Sequence, residues 1–201
     1  MRLFRPCFLA VRLFPEALFR EKTGEKVLYL TFDDGPDVVT TVPLLNILAK
    51  HRIRAVFFCS GKAASENPDL VNKIKLGGHL IGNHGYNHRD GLFTSKHKYL
   101  NDIKLAAGST SDGIFRPPYG RLRINQYREI KKSYRIIMWD IMPYDFDRKF
   151  GGERSLSALK KMVRPGSVIV LHNTLQSSVL DFLEAFIVFA KNKGYRFDVV
   201  H

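Results

Sequence analysis

The chain has 201 residues, of which 45% are hydrophobic, so it is long enough for one sizeable core and one main domain. Its formal net charge of +13 favours attraction to anionic surfaces, and no apolar run approaches the ~20 residues that cross a bilayer. Cys7 and Cys59 form no disulfide framework. We therefore expect a cytoplasmic chain, or one held peripherally at the inner face of a membrane.

Residues 1–24 read as a basic, amphipathic N-terminal extension rather than as a signal peptide. Arg12 interrupts the apolar run, Pro6 and Pro15 bracket it, and no clear small-residue cleavage site follows. We expect this segment to pack on the core. The alternative is a weak peripheral contact with an anionic membrane.

The segment Val27–Pro36, which reads VLYLTFDDGP, predicts a strand that is buried on both faces and ends in two carboxylates. Val27–Phe32 is apolar, β-branched or aromatic throughout, as in parallel sheets flanked by helices. Asp33 and Asp34 follow, and ligands of α/β folds bind at the carboxyl ends of strands. Because side chains alternate along a strand, we expect these two acids to project to opposite sides. The competing interpretation is an Asp-Gly-Pro turn with a solvated acid pair.

The rest of the chain alternates short strands with helices. Further strands are predicted at Ala55–Cys59, His79–Asn83, Gly113–Arg116, Tyr134–Trp139, Ser167–Leu171 and Tyr195–Val200. Helices are predicted at Val42–His51, Pro68–Leu76, Lys96–Ala107, Arg123–Lys132, Ser155–Val163 and Leu180–Lys193. This alternation predicts an α/β fold, a small, distorted (β/α) barrel of about seven parallel strands.

Polar residues at the strand ends should meet on one face of this barrel, because the carboxyl ends of its strands converge. They are Asp33, Asp34, His84, His88, Arg116, Asp145 and His172. His84 and His88 are four residues apart, so a helical turn would point both imidazoles the same way. With a carboxylate from the first strand they make the two-His, one-Asp set of a catalytic zinc site. Each histidine alone fits a surface or core-edge residue better.

Five motifs, in this order, resemble the polysaccharide deacetylase family, the NodB-homology, carbohydrate-esterase type of metal-dependent N-deacetylase. They are TFDDGP at 31–36, HxxxH at 84–88, RPPYG at 116–120, the tract that ends at Asp145, and VLH at 170–172. The resemblance covers about Glu25 to the C-terminus. It therefore implies a catalytic domain over residues 25–201.

The resemblance implies a metal site and a general base. Asp34, His84 and His88 would hold one divalent metal, most often zinc. Asp33 would be the general base for the attacking water, and Arg116 would orient and tune Asp33. This agrees with the chemistry of amide hydrolysis, since a bound metal lowers the pKa of water towards ~7.

The same resemblance implies groups for the other half of the reaction. The backbone N–H of Tyr119 would help to stabilise the oxyanion, which needs a preorganised positive site. His172, held by Asp145, would be the general acid for the leaving amine. Leu171 would line the pocket for the acetyl methyl group.

Four positions depart from the family pattern. Gly85 replaces the usual Ser or Thr after the first metal histidine, which bears on loop geometry and metal affinity. Met142 stands where many members carry Asp, Phe146 where Trp is common, and Asn173 where an acid is frequent. None of these changes removes a predicted ligand, base or acid.

The leading hypothesis is a metal-dependent hydrolase that removes N-acetyl groups from N-acetylated amino-sugar glycans, such as peptidoglycan or chitin-like oligosaccharides. One alternative keeps the site but changes the substrate to another amide, such as a glycolipid N-acyl or N-formyl group. A second is a catalytically weakened glycan-binding module, motivated by Gly85 and Phe146. A third, a nucleic-acid or membrane binder, would need a basic stripe with interleaved aromatics, whereas the basic residues are dispersed. We expect a monomer with a glycan substrate and no nucleic-acid partner.

Overall fold

The computed structural model describes residues 3–110 and 113–200. The strands are β1 (Val27–Asp34), β2 (Val56–Cys59), β3 (Leu80–Asn83), β4 (Ile114–Phe115), β5 (Arg135–Ile136), β6 (Val168–His172) and β7 (Arg196–Asp198). The helices are α1 (Phe8–Leu13), α2 (Thr41–Lys50), α3 (Gly61–Glu66), α4 (Pro68–Leu76), α5 (Lys96–Ala106), α6 (Ile124–Ile130), α7 (Gly152–Met162) and α8 (Val179–Asn192). The predicted ranges 1–24 and 25–201 each include a few residues outside the described ones.

The described strands form one parallel sheet around β1. The order is β5-β4-β3-β2-β1-β6, and β7 pairs with the beginning of β1. The register aligns Asp34 with Cys59 of β2 and Asp33 with His172 of β6. The uninterrupted apolar sequence of β1 is thereby explained, because both its edges and both its faces are covered.

The sheet curls into a distorted barrel, as predicted. After β5 the chain continues along the gap between the two edge strands, where Ile137 pairs with Leu18 and Ile141 pairs with Ile169 of β6. The predicted strand Tyr134–Trp139 is therefore shorter than expected. Past Ile136 its pairing partner changes from β4 to the N-terminal segment.

Alternate residues of the strands belong to two different hydrophobic clusters. In β2, Phe57 and Cys59 pack with the outer helices, whereas Val56 and Phe58 belong to a cluster on the other face. The outer cluster is the larger and includes the apolar faces of α2 and α8. Both faces of the strands are thus packed, and the residues at their carboxyl ends lie at the edge of this packed sheet.

The N-terminal segment closes the barrel. Phe14 and Ala17 are buried, and the backbone of Leu18 exchanges hydrogen bonds with Ile136 and Met138 at 2.9 and 2.7 Å. In contrast, α1 has no buried residue. Among the described residues, every helix is too short or too polar to span a bilayer.

Helix α3 was not predicted from the sequence. It has only six residues, begins at Gly61 and is capped by Ser60, whose Oγ accepts the Ala63 N–H at 3.3 Å. Such a short segment carries too few turns for a helical period to be recognised. Its position matters because the N–H groups of Gly61 and Lys62 donate to the carbonyls of Gly85 and Tyr86, in the loop that carries both predicted metal histidines.

Candidate active site

The structure brings Asp34, His84 and His88 together at the carboxyl end of β1. One potential ligand atom from each lies within 4.8 Å of the other two. Asp34 Oδ1 is 3.4 Å from His84 Nε2 and 3.1 Å from His88 Nε2. The three side chains thus face one common point, as the sequence predicted.

The two histidines converge for a reason other than the one expected. Residues 84–88 form an irregular loop rather than a helical turn, because Gly85 and His88 adopt left-handed backbone angles with φ of 73° and 52°. Asn83 fixes the start of this loop, since its Oδ1 accepts the Gly85 N–H at 2.8 Å. The ring centroids of the two histidines are 5.0 Å apart.

The donor set fits a divalent metal. Asp34 Oδ1 is buried and accepts no hydrogen bond of acceptable geometry within the described part of the chain. His84 Nδ1 lies 2.8 Å from the Arg116 carbonyl, which can only accept, so Nδ1 carries the proton and Nε2 offers a lone pair. Burial alone raises the pKa of Asp34, but His84 and His88 more than offset it, and this pKa lies well below its usual value.

Asp33 is held by a different partner. Arg116, which is fully buried, donates from the same nitrogen to Asp33 Oδ1 and to Thr31 Oγ1, each at 2.7 Å. Its other donors bind the carbonyls of Ile137 and Met138. The guanidinium is thus fixed by four hydrogen bonds. Its positive charge offsets the negative charge of the buried Asp33 carboxylate.

Asp33 and Asp34 both line the same cavity, so the expected opposite orientation is wrong. The backbone of Asp34 leaves the extended conformation at φ 77°, which turns this last residue of β1 towards the two histidines. The sequence could not indicate this angle, because strand alternation applies only while the backbone stays extended. The two acids nevertheless have separate partners.

His172, the neighbour of Asp33 on β6, also lines the cavity, and Asp145 holds it from behind. Asp145 is fully buried and accepts from His172 Nδ1 at 3.0 Å, from the His172 backbone N–H at 2.7 Å and from Ser177 Oγ at 2.7 Å. Burial lowers the pKa of His172, but the carboxylates of Asp145, Asp34 and Asp33 outweigh it and raise the pKa to about 9. The neighbouring carboxylates thus favour the protonated imidazole.

These groups surround one cavity of about 300 Å³. It is lined by Asp33, Asp34, His84, His88, Pro117, Tyr119, Gly120, Arg121, Trp139, Met142, Phe146, Val170 and His172. Gly120 has φ 64°, and a Cβ there would lie 2.2 Å from the Trp139 ring, so only glycine fits. The sequence analysis assigns no role in the site to Pro117, Gly120, Arg121, Trp139 or Val170.

Leu171 does not line the cavity. It is fully buried in the outer cluster, whereas Val170 shares the face of His172 and reaches the pocket wall. The physical reason is the two-residue period of β6, which turns the residue immediately before His172 away from it. That alternation was readable from the sequence and identifies Val170 as the apolar lining residue.

Tyr119 lines the cavity next to His88. It has φ 58°, its side chain is exposed, and its ring packs edge-on against His88 with centroids 4.6 Å apart. The role of its backbone N–H in holding an oxyanion stays a prediction.

The structure shows what three of the four residues that depart from the family pattern contact. Phe146 packs edge-on against His172 at 4.8 Å between centroids, and Met142 contributes to the same wall. Asn173 is buried, accepts from Thr40 Oγ1 at 2.7 Å, and donates to Thr41 Oγ1 at 3.0 Å. An amide can do both, whereas an ionised acid could not donate.

The cavity therefore holds a carboxylate that can accept a proton, an imidazole that can give one, and three side chains that could bind a cation. This is the arrangement of a metal-dependent hydrolase. The chain belongs to the polysaccharide deacetylase family, whose sequence pattern it matches over residues 20–137.

Individual relatives support this family assignment. A peptidoglycan-N-acetylglucosamine deacetylase of Bacillus cereus is 35% identical over 84% of this chain, which spans 64% of that protein's length. A chitooligosaccharide deacetylase of Sinorhizobium fredii is 33% identical over 77% of this chain and 75% of its own. The crystal structure of the Bc1960 peptidoglycan N-acetylglucosamine deacetylase superposes with a TM-score of 0.87 at 29% identity, covering 96% of this chain and 94% of that one.

Proposed function

We propose that this chain is a metal-dependent hydrolase that removes N-acetyl groups from N-acetylated amino-sugar glycans. The observation that carries the proposal is that Asp33, held by Arg116, and His172, held by Asp145, line one cavity together with Asp34, His84 and His88. We assign the catalytic machinery to residues 25–201.

Asp34, His84 and His88 would hold the metal, for which zinc is the first candidate because imidazole and carboxylate are its common ligands. A bound divalent cation would lower the pKa of a coordinated water and polarise the amide carbonyl. Asp33 then takes the proton of the attacking water. Its Oδ1 is occupied by Arg116, which leaves Oδ2 for this transfer.

His172 completes the reaction by giving a proton to the leaving amine. Asp145 accepts from Nδ1, so the other ring nitrogen, Nε2, is the one available to the substrate. The backbone N–H of Tyr119 would donate to the oxyanion. Val170 and Met142 provide apolar wall for the acetyl methyl group.

The substrate class is supported by the names of the relatives, which cover both peptidoglycan and chitooligosaccharide deacetylases. The test is a panel of acetylated chitooligosaccharides and peptidoglycan fragments, with acetate release measured on the zinc-loaded, metal-free and reloaded chain. We expect metal-dependent release from at least one glycan. Release only from formylated or long-chain N-acyl amino sugars would favour another amide. Glycan binding with no release would favour a weakened binding module.

We further propose a weak peripheral contact with anionic membranes through the N-terminal segment. Five large apolar side chains there are exposed: Leu3, Phe8, Leu9, Val11 and Leu13. Arg12 is exposed in the same short helix, and the chain carries a net charge of +13, so an anionic lipid surface is the complementary partner.

Co-sedimentation with vesicles tests this contact. We expect binding to mixed phosphatidylglycerol–phosphatidylcholine vesicles, less to phosphatidylcholine alone, and loss in the Phe8→Ser/Leu9→Ser variant. Val38→Ser is the matched control, because Val38 is as exposed as these residues but lies outside the segment. Equal sedimentation of the wild type and the double variant would contradict the proposal.

A further inference from the structure

The loop between the two metal histidines depends on a carboxylate that the motif does not contain. Asp102 lies on α5 and is buried. It accepts the backbone N–H of Tyr86 at 2.9 Å and that of Asn87 at 3.1 Å, both at Oδ2. Its Oδ1 accepts from Asn87 Nδ2 at 2.6 Å and from Arg89 Nε at 3.1 Å.

These bonds matter because the loop is irregular. A left-handed residue such as His88, with φ 52°, is held only when its surroundings fix it. Without this carboxylate, the Asn87 N–H would lose its acceptor among the described residues, and the Tyr86 N–H would keep only the Asp102 backbone carbonyl at 3.2 Å. Hydrogen bonds to a charged acceptor are among the stronger ones, so their loss would loosen the loop. Asp102 contacts neither the cavity nor a metal ligand directly, so it acts through the backbone of the loop.

Gly85 and Asp102 also restrict each other. A Cβ at position 85 would lie 2.9 Å from Asp102 Oδ2, which is closer than real Cβ contacts. Gly85 also has φ 73°, where a side chain is strained. The space that a Ser or Thr side chain at position 85 would enter is therefore taken by the carboxylate of Asp102.

We propose that Asp102 is the positioning residue for His88, and that Asp102 and Gly85 form a matched pair that replaces a hydroxyl at position 85. The proposal rests on the proposed function, since it concerns the same metal site. Gly85 raised the question of loop geometry and metal affinity. With Asp102 in place, the loop keeps its support although the hydroxyl is absent.

The first test is metal affinity, measured with Co²⁺ by its visible absorption on the metal-free chain. We expect Asp102→Ala to bind Co²⁺ about 10- to 100-fold more weakly, with an altered spectrum, because groups that orient metal ligands contribute on this scale. Asp102→Asn retains one acceptor oxygen and should give an intermediate affinity, which keeps the test valid if the alanine variant folds poorly. Asp140→Asn is the control, since Asp140 is equally buried and paired with Arg164 but lies outside this loop.

The second test is a double-mutant cycle. Gly85→Ser alone should weaken Co²⁺ binding because its side chain meets Asp102. The Gly85→Ser/Asp102→Ala variant should bind better than the product of the two single effects predicts. Strict additivity would overturn the matched pair, and wild-type affinity in Asp102→Ala would overturn the positioning role. Failure of the wild type to bind Co²⁺ would instead overturn the metal site itself, and with it both proposals.

Discussion

Asp145 holds His172 at two points: one carboxylate oxygen accepts from Nδ1 at 3.0 Å and the other from the backbone N–H at 2.7 Å. This double contact fixes both the tautomer and the direction of the imidazole. It also places a buried negative charge beside the group that must carry a proton. The alkaline limit of activity should therefore report this pair.

We expect Asp145→Asn to shift the alkaline limb of the pH profile of kcat/KM to lower pH and to lower the maximal rate. Burial lowers the pKa of His172, but Asp145 and the other carboxylates outweigh it and raise the pKa to about 9, so removing the charge of Asp145 lowers it. A general acid works only while protonated, so activity would then be lost at lower pH. Ser177→Ala, which removes one hydrogen bond to the same carboxylate but no charge, should leave the limb in place. An unmoved limb in Asp145→Asn would show that His172 is not the acid.

His88→Ala should lose most of the bound metal and essentially all activity. His88 Nε2 is one of two imidazole nitrogens facing Asp34 Oδ1, and two remaining ligands hold a divalent ion poorly. Metal content after dialysis is the measurement. His51→Ala is the matched control, because His51 also pairs with a carboxylate, Glu184 at 3.2 Å, but lies outside the cavity. Stoichiometric metal in His88→Ala would rule out this ligand set.

Substitution of Val170 should change substrate specificity, whereas substitution of its neighbour Leu171 should change only stability. Val170→Ala enlarges the cavity wall and should raise kcat/KM for N-propionyl relative to N-acetyl substrates, by about 10-fold or more for one methylene. Leu171→Ala should leave that ratio unchanged but lower the free energy of unfolding by about 2–5 kcal/mol, since its side chain is fully buried in the core. A changed ratio in Leu171→Ala alone would restore the original assignment to Leu171.

The sequence indicated the sheet and most of the site because both depend on local patterns. The apolar run of β1, the acids that end it and the motif histidines are each readable without tertiary contacts. Asp102 could not be found in this way, because only the packing of α5 against the loop brings it to residues 85–89. The left-handed angles at Asp34 and His88 are likewise set by surroundings that no local period encodes.

The adjacent acids of β1 have separate partners, so their substitutions should cause different losses of function. Asp33 Oδ1 accepts from Arg116 at 2.7 Å, whereas Asp34 Oδ1 is buried without a hydrogen bond among the described residues and faces both imidazoles. The first is placed as a base and the second as a ligand. Substitution by asparagine preserves size, removes the charge and basicity and keeps one acceptor oxygen, so it distinguishes the two roles.

We expect Asp33→Asn to keep near-normal metal content but to lose activity by about 10²-fold or more, the usual scale for a general base. Asp34→Asn should lose metal affinity together with activity, because a neutral amide oxygen is a weaker ligand than a carboxylate. Metal analysis after dialysis and kcat on one acetylated oligosaccharide measure both quantities on each variant. Each variant is the other's control, since the residues are neighbours on one strand end. The reverse result, with Asp33→Asn emptied and Asp34→Asn loaded, would exchange the base and the ligand.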